Sequence, residues 1–324
     1  MDTKNAIEEI ERTLSDYKYG LHPTELYEPI TYILSLGGKR IRPLLTLLAY
    51  NFYNDNYQSA LLPACAVEVF HNFTLMHDDI MDEAPLRRGK STVHTKWDNN
   101  LAILSGDVMM VKSYDMLLEA HEIQDYKYLV KEFNKCARGV CEGQQLDMNF
   151  EQRSSVSVEE YIEMIRLKTA VLLGFSLKLG GILANASFEE QQQLEDIGIT
   201  LGIGFQLKDD LLDVFGDSAK VGKQVGGDII ANKKTFLLIT ALNQATGPVK
   251  NSLEKWIAKE HFDEVEKVNA VKEIYESLSI EAQTKTMMQT YFDKGLKMIE
   301  QLPVNKSKKQ PLVDLTNMLI HRDK

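Results

Sequence analysis

The sequence predicts an all-α fold, and three observations carry that expectation. All eight prolines fall at or before Pro85 or at and after Pro248, so a long central stretch lacks the residue that breaks helix interiors. Within that stretch apolar residues recur at three- and four-residue spacing. The strict apolar–polar alternation of a half-buried strand is scarce. We expect roughly ten or more helices and no sheet. They form one domain over residues 1–324, with long helices around a central cavity.

The N-terminal segment, MDTKNAIEEIERTLSDY, is an acidic amphipathic helix pattern without a signal-peptide apolar core. Breaks follow at Gly37-Gly38, at Asn54-Asp55-Asn56, from Pro85 to Gly89, from Arg153 to Ser157, from Asn185 to Ser187, from Gly216 to Gly227 and from Thr246 to Pro248. Each is a cluster of turn formers between helical runs. Ser157-Val-Glu-Glu reads as a capping box opening the helix that carries Lys168. There is no low-complexity linker and no short-period repeat.

Composition narrows the function. The 324 residues carry 37 basic and 47 acidic side chains, a net charge of −10. Nucleic-acid binding needs a basic footprint, so it is not expected. No stretch approaches about 18 uninterrupted apolar residues, so no transmembrane segment is expected. Cys65, Cys136 and Cys141 are scattered without CxxC spacing. They read as thiols of a reducing compartment rather than as a disulfide framework or zinc site, which points to the cytoplasm.

Two acidic clusters of one form stand out: Asp78, Asp79 and Asp82 in DDIMD, and Asp209, Asp210 and Asp213 in DDLLD. On a helix, positions i and i+4 lie about 40° apart and i+1 and i+4 about 60° apart. Each cluster therefore directs several carboxylates one way, among apolar neighbours such as Ile80 and Met81 or Leu211 and Leu212. Crowded carboxylates beside apolar residues are costly unless a cation compensates them. A single copy suits a solvated face; two copies favour a metal site. Oxygen ligands without Cys or His partners favour Mg²⁺ before Ca²⁺.

Basic groups accompany both clusters. Gly37-Gly38-Lys39-Arg40-Ile41-Arg42-Pro43 is a glycine-hinged loop entering a helix, and its N–H groups with Lys39 and Arg42 suit a phosphate. Arg87-Arg88 follows the first cluster, and Lys223 and Lys233 follow the second, while Lys168 lies in a helical run. Arg offers a planar fork to phosphate oxygens and Lys a point charge. An anion bridged to the protein through divalent cations is the reading, so polyphosphate chemistry follows. His71, about two turns before Asp78, can hydrogen-bond to such a group. No catalytic triad, activated cysteine or P-loop is present, and the glycines of 216–227 lack the strand a dinucleotide fingerprint requires.

These motifs resemble the trans-isoprenyl diphosphate synthases, or polyprenyl synthetases. The likeness runs in order through GGKRIRP (37–43), HNFTLMHDDIMDEAPLRRGKSTVH (71–94), GQQLD (143–147), LKTA (167–170), GFQLKDDLLDVFGD (204–217), GKQVGGD (222–228) and NKKT (232–235). It implies an all-α prenyltransferase, usually a homodimer, that condenses isopentenyl diphosphate head to tail with an allylic diphosphate: dimethylallyl, geranyl or farnesyl. It assigns Asp78, Asp82 and Asp209 to Mg²⁺, usually three ions, with Asp79, Asp210 and Asp213 in the same acidic sets. Arg87, Lys168, Lys223 and Lys233 would contact the allylic diphosphate. Lys39, Arg42, His71 and Arg88 would surround isopentenyl diphosphate. Thr169 and Gln206 match residues that steady the developing carbocation.

The same resemblance makes Phe73 the floor that limits product length, five residues and roughly 7.5 Å before Asp78 along the helix. Thr74 is not aromatic, unlike many farnesyl-forming members, and the first motif lacks a two-residue insertion. Geranylgeranyl diphosphate, with twenty carbons, is the expected product, with farnesyl diphosphate the alternative and longer chains less favoured. A terpene cyclase needs neither GGKRIRP nor a second DDxxD, and a noncatalytic partner subunit tends to lose the first cluster.

Overall fold

The computed structural model of the chain describes residues 1–120, 123, 125–216 and 226–321. In chain order the helices begin with α1 (Thr3–Asp16), α2 (Thr24–Ser35), α3 (Ile41–Asn51) and α4 (Leu61–Met81). A hairpin of β1 (Leu86–Arg87) and β2 (Lys90–Ser91) follows, then α5 (Val93–Lys96), α6 (Asn99–Leu118), α7 (Tyr126–Glu151) and α8 (Val158–Ile165). A π turn over Arg166–Ala170 leads into α9 (Val171–Leu183) and α10 (Phe188–Phe215). The remainder is α11 (Gly227–Ile230), α12 (Phe236–Gln244), α13 (Gly247–Ala258), α14 (Glu264–Ser277), α15 (Ile280–Gln301) and α16 (Lys306–His321). The fold is all-α, as predicted.

Proline placement works as expected in the central stretch, where α7 runs for 26 residues and α10 for 28. Pro43 and Pro63 sit in the first turns of α3 and α4, where no helical N–H is lost. Pro29 and Pro311 instead lie inside α2 and α16.

Two local expectations need correction. First, a sheet exists, although of four residues: β1 pairs antiparallel with β2, Leu86 opposite Ser91 and Arg87 opposite Lys90. Its two-residue turn, Arg88-Gly89, has positive φ at both positions (53° and 73°), the conformation that matches strand twist in tight hairpins. Arg-Gly is a weaker signal of that turn than Asn-Gly. Second, the Ser157 capping box is present, with Glu160 N–H donating to Ser157 Oγ and Ser157 N–H to Glu160. The α-helix it opens nevertheless ends at Ile165, and Lys168 belongs to the π turn beyond.

The chain divides into two compact units. The first comprises Met1–Asn134, Leu172–Asp196 and Glu300–Leu312. Its central helix is α4, whose Ala64, Cys65, Ala66, Val67, Val69 and Phe70 are wholly buried. Each large apolar side chain so buried contributes about 1.5–3 kcal/mol relative to exposure. Ser105, Gly106 and Ser113 of α6 are small and buried, letting that helix pack closely on α4. At Gly106 the fit is strict: a Cβ there would lie 2.2 Å from His77 Nε2. The segment Tyr57–Met81 is long and apolar enough to cross a membrane by length and composition alone, but 67% of its apolar window is buried.

The second unit comprises Lys135–Val171, Ile197–Ile299 and Val313–Lys324. Val214 of α10, Ile229 of α11, Leu237, Leu238 and Ala241 of α12, Leu253 of α13 and Val271, Ile274 and Tyr275 of α14 form a single buried cluster there. This cluster anchors the elements that follow the second acidic motif.

Candidate active site

In the first unit, the end of α4 sets the site. The helix stops in a Schellman motif: Ala84 N–H donates to Asp79 O (2.9 Å) and Glu83 N–H to Ile80 O (3.2 Å). Glu83 takes the left-handed conformation (φ 49°) that usually calls for glycine. The chain then reverses through the β1–β2 hairpin, with Thr92 Oγ1 donating to Ala84 O. That reversal returns Arg87 to α4, where Nε and Nη2 grip both oxygens of Asp79 at 2.8 and 2.7 Å. Asp79 is buried by this pairing, whereas Asp78 is half-buried and Asp82 exposed.

The GGKRIRP loop is built on its middle arginine. Arg40 is buried, takes a positive φ of 48° and makes four bonds: two to Glu11 (2.9 and 3.1 Å), one to Glu68 (2.8 Å) and one to Leu34 O (2.7 Å). Such a pairing satisfies a guanidinium whose burial would otherwise be prohibitive. Lys39 on one side of it stays exposed and Arg42 on the other half-buried. The Arg88 guanidinium lies against Gly38, where an added Cβ would sit 3.0 Å from it, and the φ of Gly38 is 148°. His71 retains some accessible surface but is deep among protein atoms. Burial first, then the charges of Arg42, Arg87, Arg88 and Arg40, hold its pKa well below the ordinary imidazole value. The structure thus brings Arg42, Arg87, Arg88 and a neutral His71 into one cationic field.

Beneath the first motif, Phe73 is half-buried against His77 (ring centroids 4.8 Å) and Phe70 (5.5 Å). Phe70 packs on Phe133 (5.1 Å), and Phe133 on Tyr114 (4.9 Å) and Phe175 (5.5 Å). Thr74 turns its hydroxyl back to His71 O (2.8 Å). The sequence marks Phe73 but not the series of rings that continues from it through Phe70 and Phe133.

In the second unit the middle aspartate is again the buried one. Tyr161 of α8 donates to Asp210 Oδ2 (2.5 Å), and Gln206 Nε2 donates to Asp210 Oδ1 (2.9 Å). Thr169 Oγ1 donates in turn to Gln206 Oε1 (2.9 Å). Thr169, Gln206 and Asp210, all singled out by sequence, are thus one hydrogen-bonded chain. Asp209 and Asp213 are half-buried. Asp213 accepts the Asp228 N–H (2.9 Å), which fixes the start of α11 against α10. Lys168 reaches Asp147 of α7 at 2.6 Å, and Lys233 reaches Glu151 at 2.7 Å and Asp147 at 3.8 Å. Lys223 lies outside the described residues.

The acids of this unit crowd one another. Burial, reinforced by Asp213 and Asp147 against the bonds from Tyr161 and Gln206, pushes Asp210 up to about 6. Burial and the charges of Asp213 and Asp210 raise Asp228 well above the carboxylate range. Among the described residues no three acidic, His or Cys groups converge on a single point. Half-buried Asp209 and Asp213 fit Mg²⁺, which retains waters and takes one or two carboxylates together with substrate phosphates. Oxygen-only donors under mutual repulsion fit a hard cation. Asp147, Tyr161 and Asp228 had no role in the sequence reading. Asp147 and Asp228 sit inside quoted motifs, while nothing local marks Tyr161.

This helical fold with paired acidic motifs is that of a prenyltransferase. The model of the family described as polyprenyl synthetase matches residues 23–278, and the chain belongs to that family. A geranylgeranyl pyrophosphate synthase of Geoglobus acetivorans is 36% identical over 98% of this chain and 95% of its own length. A geranylfarnesyl diphosphate synthase of Natronomonas pharaonis is 34% identical over 93% of this chain and 91% of its own. A crystal structure of a geranylgeranyl pyrophosphate synthase superposes with a TM-score of 0.91 at 43% identity, covering 99% of this chain and 98% of the other.

Proposed function

We propose that the chain condenses isopentenyl diphosphate with an allylic diphosphate in the presence of Mg²⁺ and releases geranylgeranyl diphosphate. The observation that carries this is the shared design of the acidic motifs. In each, the second aspartate is buried and bonded to protein, while the first and fifth carboxylates stay more open. Asp78 and Asp82 of the first unit and Asp209 of the second would hold Mg²⁺, three ions in all, with Asp213 in the acidic set of Asp209. Asp79 and Asp210 complete the acidic sets from behind, through Arg87 and through Tyr161 and Gln206. When bound, Mg²⁺ supplies Lewis-acid stabilisation of the departing diphosphate.

The chain's own groups do the rest. Arg87, Lys168, Lys223 and Lys233 bind the allylic diphosphate and stabilise charge as its C1–O bond breaks. Thr169 and Gln206 present oxygen dipoles to the carbocation. Lys39, Arg42, Arg88 and neutral His71 hold isopentenyl diphosphate so that its double bond attacks C1, and the proton then lost passes to the released diphosphate. Apolar walls around Phe73 exclude the water that would quench the cation. Phe73, backed by Phe70 and Phe133, favours twenty carbons over the longer product named for the geranylfarnesyl relative. Leu104, Val111 and Leu118 recur every seven residues on α6, each half or more exposed, which supports a homodimer through that face. Cys65, Cys136 and Cys141 form no disulfide, which suits a cytoplasmic enzyme.

The test is an assay with Mg²⁺, labelled isopentenyl diphosphate and each allylic starter, resolving chain length after dephosphorylation. A twenty-carbon product is expected. Fifteen carbons would move the floor above Phe73, and no condensation with any starter would overturn the reading. Light scattering of the same sample should report a dimer.

A further inference from the structure

The turn carrying Lys168 and Thr169 departs from α-helical geometry. Arg166–Ala170 is a π turn, closed by Val171 N–H donating to Arg166 O. Nothing in the local sequence RLKTA demands it, and two neighbouring helices approach it closely at glycines. A Cβ built on Gly143 of α7 would lie 2.2 Å from Lys168 N and 2.6 Å from its Cα. One built on Gly202 of α10 would lie 2.7 Å from both Cα and Cβ of Ala170. Backbone atoms cannot swing aside as a side-chain end can. Gly139, one turn earlier on α7, is different: its Cβ would meet only side-chain ends of Leu167 and Val171, at 3.5 Å.

The register is telling. Gly143 lies one turn before Asp147, which Lys168 reaches, and Gly202 one turn before Gln206, which Thr169 reaches. Each glycine therefore sets how deeply the π turn seats on the helix that its side chain must address. π turns inside α-helices recur at functional sites, where they re-aim side chains.

We propose that Gly143 and Gly202 are positioning residues that clamp this turn and aim Lys168 and Thr169. The proposal rests on the reading above, in which those two side chains serve the allylic substrate. Any side chain at Gly143 must push the turn by about 1 Å, and a misplacement of that size costs on the order of 100-fold in rate.

The experiment compares Gly143→Ala, Gly202→Ala and Gly139→Ala in the full-length enzyme with Mg²⁺, measuring kcat and both KM values beside circular dichroism and melting. Gly143→Ala should raise the allylic KM and lower kcat, each by about tenfold, with the isopentenyl diphosphate KM within about twofold of wild type. Gly202→Ala should shift the same two constants less, and Gly139→Ala should match wild type. An unchanged Gly143→Ala enzyme, equal loss for both substrates, or collapse of both clamp variants would overturn the proposal, the last because it would assign the glycines to general packing. Wild-type enzyme that condenses nothing would instead overturn the functional reading, and the clamp with it.

Discussion

The two acidic motifs share a pattern yet solve its electrostatics in opposite ways. In the first, buried Asp79 is neutralised by the fork of Arg87. In the second, buried Asp210 is held by a phenol and an amide, neither of them charged, beside Asp213, Asp147 and Asp228. A fixed guanidinium compensates the buried carboxylate of the first motif without any metal. The second stores repulsion that a cation or a proton can relieve, so it is the region whose state should depend on Mg²⁺ and pH. Their basic partners differ in kind: the charges of Arg42, Arg87 and Arg88 act together on His71, whereas Lys168 and Lys233 pair with Asp147 and Glu151.

That contrast can be broken experimentally. Replacing Arg87 with Leu leaves the Asp79 charge buried without its partner, so the largest loss is expected here, about 3–5 kcal/mol by urea unfolding, along with most of the activity. A loss below about 1 kcal/mol would mean that Asp79 does not need the pair. Next comes pH. The Asp210 carboxyl is raised from 3.8 to about 6, so the folded state binds its proton more tightly than the unfolded chain does. Its contribution is fully present below pH 4 and is lost as pH rises through about 6, a fall of about 3 kcal/mol in metal-free protein. Unfolding in EDTA from pH 4 to 7 should trace that decline, and Mg²⁺ should restore stability at the upper end; a flat profile would contradict it.

Tyr161→Phe removes one hydrogen bond to a charged acceptor and should cost about 1.5–3 kcal/mol, with kcat falling. Product length should stay unchanged in that variant. Phe73→Ala has the smallest expected effect on turnover and the clearest on product: chains longer by five carbons, with Phe70 and Phe133 stopping further growth. Unchanged products from folded, active Phe73→Ala protein would remove Phe73 as the floor, and altered lengths from Tyr161→Phe would dissolve the division of labour between the regions.

Much of this was legible in the chain. The acidic sets, the GGKRIRP loop and the capping box at Ser157 depend on residues within one or two turns of each other, and helical periodicity places such neighbours without further information. The all-helical class followed from proline placement for the same reason. The β1–β2 hairpin was missed because its Arg-Gly turn adopts a conformation that Asn-Gly announces more clearly. Arg40 carried no role of its own in the sequence, since that role depends on Glu11 and Glu68 from other helices.

What the sequence by itself determined is therefore the helical class and the family, and it singled out the groups proposed to meet diphosphate and metal. Only the tertiary structure decided which aspartate of each motif turns inward, that Tyr161 and Asp210 meet although 49 residues apart, and that RLKTA winds as a π turn. The physical reason is range. Periodicity and charge act along a few turns of helix, whereas burial, hydrogen-bond partnership and the close approach permitted by Gly143 and Gly202 arise only where distant segments pack.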